Sequence, residues 1–310
     1  MPSHGVVLYE ARSFPRKRES RKMKTEKNKN SNIEQKTKTG KIVRTISILL
    51  FVFVLILLII PEVTKIKVIP NGGKKAQLYS ISAALELFNS EFEKYPPSDR
   101  LDPNGIPYGG AMKLAEAMEG QDLIGFQPDS VFRHDGKDTR GNLLYGADSS
   151  AFNPALRKGT FLPLENANAY RLKDIFENTG PFDGNEYVIC DVFIQKHYSG
   201  KKTGMPILYY KADTTKSSHD VNNPDNPDNI YNYKDNLDLL ALGVPGKPGV
   251  KHPLYEAPSL FYIMTQNTKA KTSEPFNKYT YILIAAGKDG LFGTLDDVTN
   301  FPLIWRPKNK

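Results

Sequence analysis

Ala76–Ser98 reads AQLYSISAALELFNSEFEKYPPS. Ile81, Leu85, Phe88 and Phe92 recur at helical steps, and Leu78 and Ala84 widen the same stripe. Ser82, Glu86, Asn89 and Glu93 fall elsewhere. The spacing predicts a helix over 76–94 with one apolar face, and that face requires a partner layer. Tyr95-Pro96-Pro97 ends it, because proline donates no backbone hydrogen bond and constrains the residue before it.

Upstream lies Thr45–Pro61, TISILLFVFVLILLIIP, with no charge in 17 residues. As a helix it would reach roughly 26 Å, the short end for a membrane span. Ile42 and Val43 extend it, and Lys41 and Arg44 can snorkel toward the headgroups. The reading is a transmembrane helix over 42–61, an uncleaved signal anchor, since no small-residue cleavage site follows Pro61.

The formal net charge of +8 sits mostly before this segment. Residues 1–44 hold 13 Lys/Arg and 4 Glu, a net of +9, which leaves −1 for 45–310. A basic nucleic-acid-binding domain is therefore not expected, and the tail is read as a topology signal. The positive-inside rule assigns the basic tail 1–41 to the cytoplasm and the chain from residue 62 onward to the outside. Ser13–Arg21, SFPRKRESR, resembles translated intergenic repeat DNA, so residues 1–22 stand apart and Met23 is an alternative start. From Met23 the tail still carries 7 basic and 2 acidic groups.

Downstream, 62–75 reads as a juxtamembrane linker and 76–310 as the extracytoplasmic domain. A short helix is expected at Ala111–Met118 and a brief one at Lys173–Asn178. Glu186–Gln195 and Ile207–Ala212 read as strands paired in a long hairpin across Lys196–Pro206. Residues 213–236 are polar and turn-forming and read as a surface insertion. One or two helical turns are expected at Leu237–Gly243. Ser259–Gln266, Lys278–Ala286 and an edge piece at Leu303–Trp305 complete the expected strands. The fold class is α+β: an amphipathic helix packed on a small antiparallel β-sheet, with long loop insertions around 99–180 and 213–258.

The chemistry concentrates in Gly287–Phe301, GKDGLFGTLDDVTNF, directly after the strand YILIAA. Asp289, Asp296 and Asp297 fall within nine residues, and Gly290 and Gly293 let the backbone turn back. Such a loop can gather three carboxylates and peptide carbonyls around one hard cation, and calcium tolerates irregular oxygen geometry best. A solvated Gly/Asp surface turn accounts for the same residues. The EF-hand spacing is absent.

Taken together, YILIAAGKDGLFGTLDDVTNF and the helix ending in Tyr95-Pro96 resemble the type II secretion major pseudopilin family, relatives of type IV pilins. Phe182–Tyr210, with Asp183-Gly184-Asn185 and PILYY, resembles a diverged form of that family's Asp-Pro-Trp-Gly-Asn-Pro-x-x-Tyr region. The resemblance implies calcium held by Asp289, Asp296 and Asp297, with Thr294 as a hydroxyl or carbonyl donor. It also implies a single-pass bacterial inner-membrane protein with its bulk in the periplasm. Its partners would be other pseudopilins or secretion-system components. The family's Gly-Phe-Thr-Leu-x-Glu leader motif is missing: Gly40-Lys41-Ile42-Val43 stands before the apolar run, and the nearest acid is Glu62 beyond Pro61.

No catalytic set stands out, and the chain is read as non-enzymatic. His4, His134, His197, His219 and His252 form no metal-ligand spacing, and no G-x-S-x-G elbow occurs. The single Cys190 excludes an internal disulfide and reads as a buried structural thiol. A different reading makes the outer domain a glycan- or protein-binding module without an assembly role. Its surface would be formed by loops and by Tyr209, Tyr210, Tyr231 and Tyr233.

Overall fold

The predicted amphipathic helix is the longest described element, α1 (Asn71–Phe92). The structure is a computed structural model and describes residues 71–146, 156–197 and 199–303. The expectations for the tail 1–41, the span 42–61 and the linker up to residue 70 lie outside the described residues. So do residues 304 and 305. Among the described residues no helix is long and apolar enough to cross a membrane.

Helix α1 starts five residues before the expected Ala76, taking in the end of the expected linker. Gly72 and Gly73 fall in the first turn, where backbone N–H groups have no helical partner in any case. It stops at Phe92, and Glu93 takes a left-handed φ of 56° before the prolines. Leu78, Ile81, Ala84, Leu85 and Phe88 are all buried, as the periodicity required. Phe88 and Phe92 lie tilted against each other at 4.6 Å and meet Phe126 and Phe161 edge-on at 5.1–6.0 Å. Such aromatic clusters add about 0.5–1.5 kcal/mol per pair beyond their buried area.

Helix α2 (Gly110–Glu119) contains the expected Ala111–Met118 and is buried along its whole length, Lys113, Glu116 and Glu119 included. The long insertion 99–180 therefore carries one of the deepest elements of the molecule, not only surface loops. At Gly110 a Cβ would stand 2.1 Å from the Tyr209 carbonyl oxygen, so only glycine lets the helix start this close to its neighbour. Asn236 locks the contact: its Oδ1 accepts from Ala111 N at 2.8 Å and its Nδ2 donates to Tyr209 O at 2.8 Å.

Short elements follow: α3 (Leu164–Ala167), β1 (Ala169–Arg171), α4 (Leu172–Ile175) and β2 (Tyr187–Ile189). β1 and β2 pair antiparallel, Tyr170 opposite Val188. Then come β3 (Gln195–Lys196), β4 (Lys202–Thr203) and β5 (Leu208–Lys211). The expected hairpin exists in pieces. Gln195 faces Thr203, Cys190 bridges Pro206, and Ile207 N donates to Ile189 O at 2.8 Å. Its ladder breaks just after Asp191, whose N donates to Met205 O at 2.8 Å and whose side chain also accepts from Phe193 N and Met205 N.

The principal sheet has the order β5-β6-β7, all antiparallel, with β6 at Tyr281–Ala285 and β7 at Val298–Thr299. Leu208 faces Ile284, and Ile284 faces Thr299. Every β6 residue is buried, as a strand covered on both faces must be. On one face Tyr209 OH donates to Pro96 O at 2.7 Å and Tyr281 OH reaches Ser82 O of α1 at 3.3 Å. On the other, Tyr210 packs against Phe261 at 4.7 Å. The helix-on-antiparallel-sheet expectation and the α+β class hold.

Three sequence readings are corrected. Ser259–Gln266 is not a strand: Pro258–Thr265 forms helix α7, after α5 (Leu237–Ala241) and α6 (Pro253–Glu256). Pro258 occupies its first turn, where proline is favoured, and its apolar residues are buried around the helix instead of alternating. Leu303 belongs to no strand, and the last strand among the described residues lies earlier, at β7. The polar run 213–236 is not only surface. Ile230 and Tyr231 are core residues, Tyr231 OH donates to Asn277 O at 2.7 Å, and a 3₁₀ turn at Tyr233–Asn236 leads into α5.

Candidate metal centre

Strands β6 and β7 are antiparallel neighbours, with Ala285 opposite Val298. The segment between them is therefore a closed loop whose ends are held side by side. It leaves the sheet at Gly287, where φ is +72° and a Cβ would stand 2.7 Å from Asp296 Oδ2. The missing side chain is the space the Asp296 carboxylate fills. That carboxylate accepts from Lys288 N at 2.7 Å and Asp289 N at 3.1 Å. Asp289 Oδ1 accepts from Leu291 N at 2.8 Å, and Asp297 Oδ2 from Gly293 N at 2.8 Å. His252 pins the loop from outside, because its Nδ1 accepts from Phe292 N at 3.2 Å.

The four residues singled out in sequence are brought together. Thr294 Oγ1 lies 2.6 Å from Asp296 Oδ1 and 3.4 Å from Asp297 Oδ1, and its hydroxyl also bonds Asp289. Asp289 and Asp296 are themselves in hydrogen-bond contact. Burial raises the Asp289 pKa, and the bond to Asp296 and that group's charge raise it further. Burial also raises Asp296, but bonds from Thr294 and Asp289 outweigh it and hold that carboxyl below its usual range. Burial pushes Asp297 up well above the usual range, with the charges of Asp289 and Asp296 adding to it.

A fourth carboxylate borders the loop. Asp191 is 2% exposed, and its Oδ1 accepts from Phe193 N at 3.0 Å and Met205 N at 3.3 Å. It faces the Gly287 backbone N–H and feels the charge of Asp296, while its Oδ2 has no partner. Burial is the main cause that pushes it up to about 7. Sequence reasoning passed over Asp191 as one residue of a strand. The available signal was an acid standing inside an otherwise apolar run, VICDVFI.

Among the described residues no group of three or more His, Cys, Asp or Glu side chains stands in metal-holding geometry. The carboxylates instead spend oxygens on backbone N–H groups and on one another. The donor set nevertheless fits a hard cation. It is all oxygen, it is dense in acid, and it includes a buried carboxylate oxygen without a partner. The oxygens that would hold such a cation are those of Asp289, Asp296, Asp297 and Thr294.

The buried histidines and the cysteine are structural. His197, His219 and His252 each bond a backbone carbonyl through Nε2 at 2.7–3.1 Å and are structural. Cys190 is buried, and burial pushes its thiol well above the usual range, so it is an inert core thiol. His134 and Asp102, unpartnered in sequence, pair at 3.0 Å through His134 Nδ1. The expected tyrosine surface is not there: Tyr209, Tyr210 and Tyr231 are fully buried and Tyr233 nearly so. A polar cleft of about 970 Å3 does open nearby, with Tyr95, Tyr279, Lys211 and Lys234 on its walls. Comparison of the chain with protein-family models, curated proteins and solved structures finds no match.

Proposed function

We propose that this chain is a membrane-anchored structural protein of the bacterial periplasm, a diverged relative of the type II secretion major pseudopilin, with a calcium-binding C-terminal loop. One observation carries the reading. A single threonine hydroxyl, Thr294, joins the carboxyls of Asp289, Asp296 and Asp297 in a loop pinned between two paired strands. That acid density on a closed loop favours a bound cation over a solvated turn. The α1 helix packed on an antiparallel sheet is compatible with the pilin-type layer arrangement. The basic tail and the apolar run 42–61 supply the anchor, with the N-terminus cytoplasmic. Partners in this reading are the inner membrane and other pseudopilins or secretion-system components, with no nucleic acid and no catalytic role.

When bound, calcium neutralises the clustered carboxylates and binds the folded loop but not the unfolded chain, so it stabilises the fold by mass action. The chain's own residues place the donors: Gly287 makes room for Asp296, and Gly293 N and Leu291 N orient Asp297 and Asp289. Thermal melting in calcium against chelator tests this. At about 100 times Kd, calcium adds about 2.7 kcal/mol. An unchanged midpoint overturns the calcium reading.

A second reading is favoured by the cleft: a membrane-anchored glycan- or protein-binding module with no assembly role. Tyr279 is 69% exposed on its wall, and exposed aromatics beside polar groups are what a sugar face needs. Saturable glycan binding that Tyr279→Ala abolishes would favour this reading over assembly.

A further inference from the structure

We infer that Asp191, from the hairpin that runs beside the C-terminal loop, is a fourth carboxylate donor to the loop's cation and ties the two segments together through it. The inference rests on the calcium reading above and adds a ligand that lies nearly a hundred positions upstream of the loop.

The geometry is specific. The hairpin strands are regular on both sides of Asp191: Ile189 O takes Ile207 N before it, and Gln195 pairs Thr203 after it. Asp191 N still donates to Met205 O at 2.8 Å, the pairing lapses just after it, and the carboxylate turns its Oδ1 to the N–H groups of Phe193 and Met205. Those two bonds fix the side chain. Its other oxygen, Oδ2, is buried and accepts nothing. The carboxylate borders Gly287, the residue whose absent Cβ makes room for Asp296, and Asp296 is the acid whose charge reaches it. The hairpin and the loop also touch at Gln195, whose amide reaches the Lys288 carbonyl at 3.5 Å. A carboxylate held rigid and buried, with one oxygen short of a partner and the charge of Asp296 close by, is a poor arrangement for a bare protein. It is the arrangement a hard cation completes, because each acid then gains the same neutralising partner.

Glu119 sharpens the point. Both its oxygens are buried and unpartnered, yet burial alone raises its pKa and no neighbouring acid contributes. That group is neutralised by a proton and gathers no ligand set. Asp191 stands among acids.

The test is a calcium titration of the detergent-solubilised full-length chain, wild type against Asp191→Asn. The substitution keeps Oδ1 for Phe193 and Met205 and removes only the charge and the free oxygen. Expected is calcium binding weakened by roughly tenfold or more, with a melting midpoint in chelator equal to or above wild type. Loss of calcium affinity without loss of apo stability separates ligation from a structural role. Wild-type affinity in the variant overturns this inference and leaves the calcium loop standing. No binding by the wild type overturns the calcium reading and this inference with it. Hydrogen exchange on the unmutated chain gives an arm that does not depend on the variant folding. Calcium is expected to slow exchange in both 191–205 and 287–297, and slowing confined to 287–297 overturns the inference.

Discussion

Two regions of this molecule bury acid, and they do it in opposite ways. Glu116, inside helix α2, is 1% exposed and has four neutral donors of its own. Its Oε1 accepts from Ser130 Oγ at 2.5 Å and Tyr145 OH at 2.9 Å, and its Oε2 from Tyr108 OH at 2.8 Å and Gln121 Nε2 at 3.0 Å. Burial raises the Glu116 pKa, and those four bonds pull against it. The C-terminal loop has more carboxylate oxygens than donors. Asp289, Asp296 and Asp297 draw on four backbone N–H bonds and one shared hydroxyl, and Asp191 beside them keeps an empty oxygen. The first arrangement is closed by the chain itself. The second is left for something else to close. Buried acid alone is therefore no sign of a metal; surplus acceptor capacity in one place is.

The largest expected effect breaks the closed region. Glu116→Ala strands four donors in the core, and at about 1–3 kcal/mol for a buried unmade bond, with partial relaxation, it costs about 4 kcal/mol. Urea unfolding measures it, and the calcium-induced shift in the same variant stays intact, because the two regions share no residue. A loss under about 1 kcal/mol would mean that the four donors are not committed to Glu116.

Next in size is Glu119, in the same helix but without donors. Burial pushes it up to about 8 from its ordinary 4.5. A carboxyl whose folded pKa is raised holds its proton better folded than unfolded. Its contribution to stability is complete below the ordinary glutamate value and is lost as pH rises toward 8. Glu119→Gln removes that slope. It should leave stability at pH 5 nearly unchanged and raise it at pH 8 by about 2 kcal/mol. Parallel pH–stability curves for variant and wild type would contradict this.

The smallest effect concerns His134. Asp102 keeps bonds from Asn104 N and Ile106 N at 2.8 and 2.9 Å when the imidazole is gone. His134→Ala should therefore cost only about 1 kcal/mol. Burial tends to raise the Asp102 pKa, but the His134 bond and these backbone bonds outweigh it and hold that carboxyl below its usual range. The variant's apparent Asp102 pKa, read by NMR, moves up.

Local patterns in the sequence were enough for some of this. The stripe of α1 is a periodicity within one helix, and the buried strand β6 is a short continuous apolar run, YILIA. The Asp289, Thr294, Asp296 and Asp297 cluster is legible because a tight loop keeps sequence neighbours spatial neighbours. The misreadings are of two kinds. SLFYIMTQ has an unbroken apolar centre, LFYIM, and so short a run fits a buried helix as well as a strand; Pro258 was the signal for the helix. The second kind is non-local. Glu116 draws donors from positions 108, 121, 130 and 145, and Asp191 meets the loop across the sheet, so no spacing rule connects them. The run 213–236 misleads for the same reason. Its polar composition is real, but Tyr231 and Asn236 bond to Asn277, Ala111 and Tyr209, far away in sequence.

The central claim is that the surplus acid at the C-terminal loop is closed by calcium. Isothermal titration of the chelator-treated chain with calcium tests it most directly. The account predicts saturable binding at one site per chain, lost in Asp296→Ala combined with Asp297→Ala and retained in Glu116→Gln. No saturable heat in the wild type, or equal binding by the double variant, would contradict it.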